Sequence, residues 1–296
     1  MEQIIEKFKA REKENTGGIL KNFRSVKGKK LRFTLMLILA GSLISIALLG
    51  DYLAPYDPML TNYDLALSPP GGQHICGTDA LGRDVFSRIL SGASNSFTLS
   101  FLMVAIVTIV GTVLGTLSGF IGGKFDTVIM RFTDIFLAFP GMVFAIAVAG
   151  ILGPGLINTV IALALIRWTK YARMTRSLAS SIREKSYIEQ ARFGGASECQ
   201  IMFKYVMPNL ISPIVVMATL DIGMMMMSLA GLSFLGLASQ PPMPEWGYMI
   251  NESRQYMQTA PWLMIYPGLA LLIVVVVFNL LGDSLRELLD PKESEE

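Results

Sequence analysis

The sequence predicts an all-α, polytopic membrane protein with six transmembrane helices. Three observations carry this. Only 16% of the 296 residues are charged and 52% are hydrophobic, against about 25% charged in an ordinary soluble domain. Several apolar windows reach the ~20 residues a helix needs to cross the hydrocarbon core. Basic residues also alternate in abundance between successive interspan segments. With the N-terminus inside, the inner segments are the N-terminal tail, the turn at Lys124, the Arg167–Lys204 region and the C-terminus. They hold nearly all the Lys and Arg, and the outer segments hold only Arg83, Arg88 and Arg254. This positive-inside pattern places both termini in the cytoplasm. The net charge of +2 says less than its placement.

Residues 1–32 form a basic segment with ten Lys/Arg between Lys7 and Arg32. It reads as a solvated tail, with Glu2 to Arg11 able to lie on lipid through Ile4, Ile5 and Phe8. It is too long and too charged for the n-region of a cleavable signal, so the apolar run after it reads as a span. Phe33 to Gly50 is the first span, ended by Asp51 and the Pro55-Tyr56-Asp57-Pro58 turn. The first span and the extracellular segment after it make up residues 33–96. Within that segment, Val85, Phe86, Ile89 and Leu90 recur at helical spacing and predict a short amphipathic helix over Asp84 to Leu90.

The membrane core is residues 97–282. Its first span, Phe97 to Gly123, is uncharged, and Gly111, Gly115 and Gly119 leave a smooth face for close helix packing. A span from Thr127 to Ala149 follows, with Arg131 and Asp134 one turn apart and expected to pair locally. Gly153-Pro154-Gly155 makes a hairpin. A span from Leu156 to Trp168 then continues as a basic helix to Arg183. The cytoplasmic loop 184–208 reads as a helix, a break at Gly194-Gly195 and a second helix start. Asn209 to Leu237 is the fifth span, Ser239 to Pro261 a polar outer loop, and Trp262 to Gly282 the sixth span. Residues 283–296 form a charged cytoplasmic tail.

No active site is evident. His74 is the only histidine and has no Cys or second His near it, so it reads as structural or capping. Cys76 and Cys199 fall on opposite sides of the membrane, so no disulfide is expected between them. Gly122-Gly123-Lys124 is not a phosphate loop, because Ser118 stands where a glycine is needed and Phe125 where a hydroxyl is needed. Any nucleotide that powers the protein therefore binds another chain, and no cofactor is expected in this one. Asp221 is the one acidic residue deep in an apolar span. It has two readings: a polar group in a translocation path, or a carboxylate paired with a neighbouring helix. Met224-Met225-Met226-Met227 follows it. Thioethers suit soft metals, but four in a row cover every face of a helix, which favours packing; Met224 and Met225 stand with Asp221 as path candidates.

Loop 184–208 also carries a resemblance. Glu189-Gln190-Ala191, then Gly195 after three intervening residues, and Pro208 thirteen after that glycine match the EAA loop of ABC importer permeases, with Gln190, Tyr205 and Met207 as mild departures. GTDALGRDVFSRILSGA at Gly77–Ala93, MRFTDIFLAFP at Met130–Pro140 and LSFLGLASQPPMPEWGYMI at Leu232–Ile250 resemble the second, C-type permease subunit of dipeptide, oligopeptide and nickel importers. ATLDIGMMMMSLAGLSFLGL at Ala218–Leu237 is more similar to the nickel-type branch. The resemblance implies the type I ABC importer permease fold. It also implies a second homologous permease chain, two ABC ATPase subunits that carry ATP and Mg, and an extracellular solute-binding protein, with lipid around the spans and no nucleic acid. It implies that Glu189, Gln190, Ala191, Arg192, Gly195 and Pro208 couple the ATPase to transport. Glu189 and Arg192 would reach across that interface, Ala191 would permit close approach, Gly195 would turn the chain, and Pro208 would end the short helix. Two other classes stand beside this one: an ion-coupled secondary transporter using Asp221 as its proton site, and a membrane scaffold without transport.

Overall fold

The computed structural model describes the backbone of residues 2–289 and the side chains of residues 28–289. The amphipathic face expected for Glu2 to Arg11 and the last seven residues of the charged tail lie outside the described residues. Among the described residues no strand forms, and only Thr78 and Asp84 make an isolated bridge. The helices are α1 (Glu2–Leu53), α2 (Val85–Ile121), α3 (Gly123–Leu137), α4 (Gly141–Leu152), α5 (Leu156–Arg183), α6 (Ser186–Phe193), α7 (Glu198–Ile201), α8 (Met207–Phe234), α9 (Trp246–Ser253) and α10 (Trp262–Leu289).

Four described stretches are long and apolar enough to cross a membrane: Gly28–Leu53, Val85–Ile121, Glu198–Phe234 and Trp262–Leu289. The α3–α4 pair adds a fifth if it is one broken span. The fourth expected span, α5, falls short on composition, because its apolar half is followed by Arg167, Lys170, Arg173 and Arg176.

The structure corrects the expected elements at three places. Asp84 to Leu90 is not a separate amphipathic helix, because α2 runs unbroken from Val85 to Ile121. The Ser- and Gly-rich join is packed rather than loose. Ser91, Gly92, Ala93 and Ser96 are buried, and Asn95 donates to the Pro244 carbonyl at 2.8 Å. The expected span Thr127 to Ala149 is bent by 86° between α3 and α4. Pro140 has no N–H to continue the ladder, and it disfavours the helical region at Phe139. The third correction concerns Arg131 and Asp134, which do not pair. Asp134 instead accepts from Arg173 Nη2 on α5 at 2.6 Å.

The glycine face of α2 meets α5. A Cβ on Gly111, Gly115 or Gly119 would collide with the main-chain carbonyls of Trp168, Ala172 and Arg176, themselves four residues apart. The two backbones therefore touch along three successive turns. Gly115→Ala is expected to lower stability by about 1–3 kcal/mol, despite alanine's better helix propensity. A fall in the thermal unfolding midpoint of the purified protein checks this.

Segments that the charge pattern assigned to a common side do meet. On one side Arg32 reaches Glu287 at 3.3 Å, and Arg183 donates to the Ile121 carbonyl at 3.2 Å. On the other, Gly155 N–H donates to the Leu237 carbonyl at 3.0 Å, and Arg83 and Arg88 both bond Glu252. The loop 239–261 contains α9, which Glu245 caps by accepting from Gly247 and Tyr248 N–H, each at 2.9 Å. His74 has the expected structural role. Its Nδ1 lies 2.8 Å from Asp84 Oδ1, while Asp84 Oδ2 caps α2 by accepting from Ser87 N–H at 2.7 Å. Cys76 and Cys199 are both free thiols. Burial, then the nearby Asp84 carboxylate, pushes the Cys76 thiol up from its ordinary value, which disfavours the reactive thiolate.

Candidate functional site

Loop 184–208 packs on a core that it shares with the ends of α2, α5 and α8. Ile188 on α6, Ile201 on α7, Val206 and Leu210 are fully buried, packed with Phe120 of α2 and with Ala179 and Ile182 of α5. α6 ends in a Schellman motif. Ala196 N–H donates to the Ala191 carbonyl, and Gly195 N–H to the Arg192 carbonyl, each at 3.0 Å. Gly195 has φ +83°, the left-handed region that favours glycine at this position. Ser197 then opens α7 with a capping box to Gln200, which satisfies two orphan N–H groups.

Two sequence expectations change here. Arg192 does not reach outward. Its Nε and Nη2 donate to the two Glu198 oxygens at 3.0 and 3.1 Å, a bidentate brace across the Gly194-Gly195 turn. Pro208 does not end a short helix either. Helix continues from Glu198 to Phe234, passing through a π-helical turn over Met202–Val206. That turn changes the bonding step just ahead of the proline, whose ring and missing N–H would break a regular ladder. Asn209 Nδ2 donates to the Tyr205 carbonyl at 2.6 Å, serving an acceptor in this irregular stretch. What remains outward-facing on α6 is Glu189, Gln190, Tyr187 and, at 92% exposure, Phe193. Ala191 is half-buried beneath them. Phe193 was not singled out in the sequence, because an aromatic after a helical run reads as core.

Asp221 is buried at 1% exposure. Its Oδ1 accepts from Lys170 Nζ of α5 at 2.9 Å, so of its two readings the structure shows the paired carboxylate. Met225 is fully buried in the helix core, whereas Met224 is exposed together with Met227. Helical spacing separates the two pairs: positions 224 and 227 share one face, and 225 turns inward. This corrects Met225 as a path candidate.

The binding-protein-dependent transport system inner membrane component family matches residues 111–295, which include the braced loop and the Lys170–Asp221 pair. The chain belongs to this family. The permease is 45% identical over 251 residues to the glutathione transport system permease protein GsiD of Pectobacterium atrosepticum, covering 84% of this chain and 83% of that one. It is 43% identical over 257 residues to the nickel transport system permease protein NikC of Escherichia coli K12, covering 87% and 93%. It is 42% identical over 270 residues to the dipeptide transport system permease protein DppC of Alkalihalophilus pseudofirmus, covering 91% and 88%. These identities are too close to separate the nickel-type branch from the others. The inward-facing MetNI methionine ABC transporter matches with a TM-score of 0.51 at 19% identity, covering 66% of this permease and 95% of that chain, which shows the ABC importer permease fold. The permease is a multi-pass membrane subunit of an ABC importer and not itself an enzyme.

Around Asp221 the permease holds polar groups that the sequence did not bring together. Tyr171 faces Thr108 of α2 and Asp221 of α8. Arg167 Nη2 donates to Ser228 Oγ at 2.8 Å. The sequence did show Arg167, Lys170, Arg173 and Arg176 every three residues. What it lacked was their partners, which lie 39 to 61 positions away.

Proposed function

We propose that this permease forms half of the pore of an importer for nickel or metal chelates, or for di- or oligopeptides, and that α6 receives the motion of an ABC ATPase. The observation that carries this is a helix pair seated on a core shared with α2, α5 and α8 that presents Glu189, Gln190 and Phe193 outward. A buried base under an exposed aromatic and a carboxylate suits insertion into a partner's cleft. The charge asymmetry puts the loop and both termini in the cytoplasm. The complete importer then has a second homologous permease, two ATPase subunits and an extracellular solute-binding protein. Gln190 and Ala191 form the close-approach surface, while Arg192, Gly195 and Pro208 shape the loop. Met224, with Met227, is the part of the Met run placed to face the path or the second permease.

The reading of Asp221 as the proton site of a secondary transporter has less support, because its carboxylate is enclosed and already paired. Phe193→Ala is expected to weaken ATPase binding by about 2 kcal/mol, roughly 30-fold in Kd. Glu189→Ala should reduce ATP-coupled uptake in the reconstituted complex. Unchanged uptake in both variants would remove α6 as the coupling element.

A further inference from the structure

The basic stripe on α5 is tied on two sides. Three residues advance an α-helix by about 300°, so the stripe drifts around α5 as it descends. Its upper members face α8, where Arg167 bonds Ser228 and Lys170 bonds Asp221. Its lower members face α3, where Arg173 bonds Asp134 and Arg176 holds Asp126 through Nε at 2.8 Å and Nη2 at 2.5 Å. α5 enters the coupling loop and α8 leaves it. α5 packs mainly on α2, whereas α8 packs foremost on α10 and next on α2. The two legs of the loop therefore share α2 but lean on different main neighbours, and they touch each other only lightly. Lys170 lies thirteen residues before the end of α5 at Arg183, roughly 20 Å along the helix. Its bond to Asp221 spans the legs there as a crossbar.

Asp221 Oδ2 is enclosed and faces the Tyr171 hydroxyl. Lys170, whose side chain is half exposed, is the cation that compensates this buried carboxylate. A pair of this kind adds little stability over well-packed apolar residues, and what it can confer is a defined register.

We infer that Lys170 and Asp221 are positioning residues that close α5, the loop and α8 into one frame, so that motion at α6 rotates both helices together instead of flexing the loop. This rests on α6 being the coupling element. Apolar replacement tests it in the reconstituted complex with its ATPase, second permease and binding protein. Lys170→Met alone strands a buried carboxylate and should lower the yield of assembled complex. The double variant Lys170→Met/Asp221→Leu removes both charges. It should assemble and hydrolyse ATP like the wild type, with solute moved per ATP falling roughly 2- to 30-fold, the range of a coupling element. Wild-type uptake per ATP in the double variant would overturn the inference. So would its failure to assemble, since the pair would then serve folding alone.

A second arm uses Lys170→Cys/Asp221→Cys in a Cys199→Ser background with a short bifunctional thiol cross-linker. Cross-linking should restore uptake per ATP, because the two positions keep one spacing throughout the cycle. Further loss on cross-linking would show that they separate, and would overturn the frame. ATPase association keeps this test apart from the coupling assignment, since Phe193→Ala reduces that association and the frame variants leave it intact.

Discussion

A permease carrying Gly195→Pro is expected to insert in the membrane and to lose ATP-coupled uptake. Gly195 sits at φ +83°, and proline is confined near −65°. The same substitution removes the N–H that donates to the Arg192 carbonyl, so both parts of the turn fail together. The α6 end would then no longer fold back toward α7, and the Arg192–Glu198 brace would lose its geometry. A Cβ at Gly195 meets nothing within 4 Å, so the penalty for other residues is conformational rather than steric. Gly195→Ala should cost about 1–2 kcal/mol, and Gly195→Asn less, because asparagine tolerates the left-handed region. Uptake should therefore fall in the order Gly, Asn, Ala, Pro. An order set by side-chain size would mean that contact with the partner, not the turn, selects glycine.

The loop was legible in the sequence because its determinants are local. The break at Gly194-Gly195 shows its helix–break–helix plan within a few positions, whereas the Ser197–Gln200 cap came only with the structure. The glycine face of α2 was legible for the same reason, since a repeat of four needs no partner to be recognised. The bend at Pro140 was harder to read. From Thr127 onward the first arm carries only Arg131 and Asp134 as charges ahead of the apolar second arm, so composition joins Gly123–Leu137 to Gly141–Leu152 as one span. Arg192 was misread because a charge on an outward-facing loop has two possible partners, and only the folded turn shows that Glu198 lies within reach. The orientation of the Met run and the Lys170–Asp221 pair are tertiary facts. They depend on which face of α8 is covered, and periodicity does not encode that in a helix apolar on all sides.

At the opposite side of the membrane core, Glu252→Ala is expected to produce the largest loss of stability. Two guanidiniums converge on this carboxylate. Arg83 Nη2 lies 3.3 Å from Oε1 and Arg88 Nη2 2.9 Å from Oε2. Their residues are only 5% and 1% exposed, and Asp79 is the other carboxylate in contact with them. Without Glu252, two buried cations share one anion and repel each other. Breaking a buried pair from one side costs about 3–5 kcal/mol, against the 0–1 kcal/mol typical of exposed pairs. The cluster also joins the outer segment before α2 to α9, so its loss should release that segment along with lowering the thermal midpoint. Added salt should not reproduce or relieve the effect, because buried pairs are poorly screened. Combining Glu252→Ala with Arg88→Met separates charge from packing. If stranded charge dominates, the second substitution restores part of the midpoint even though it removes another large side chain. A further drop in the double variant would assign the loss to packing, and Arg88 would then act as a buried spacer rather than a counter-ion.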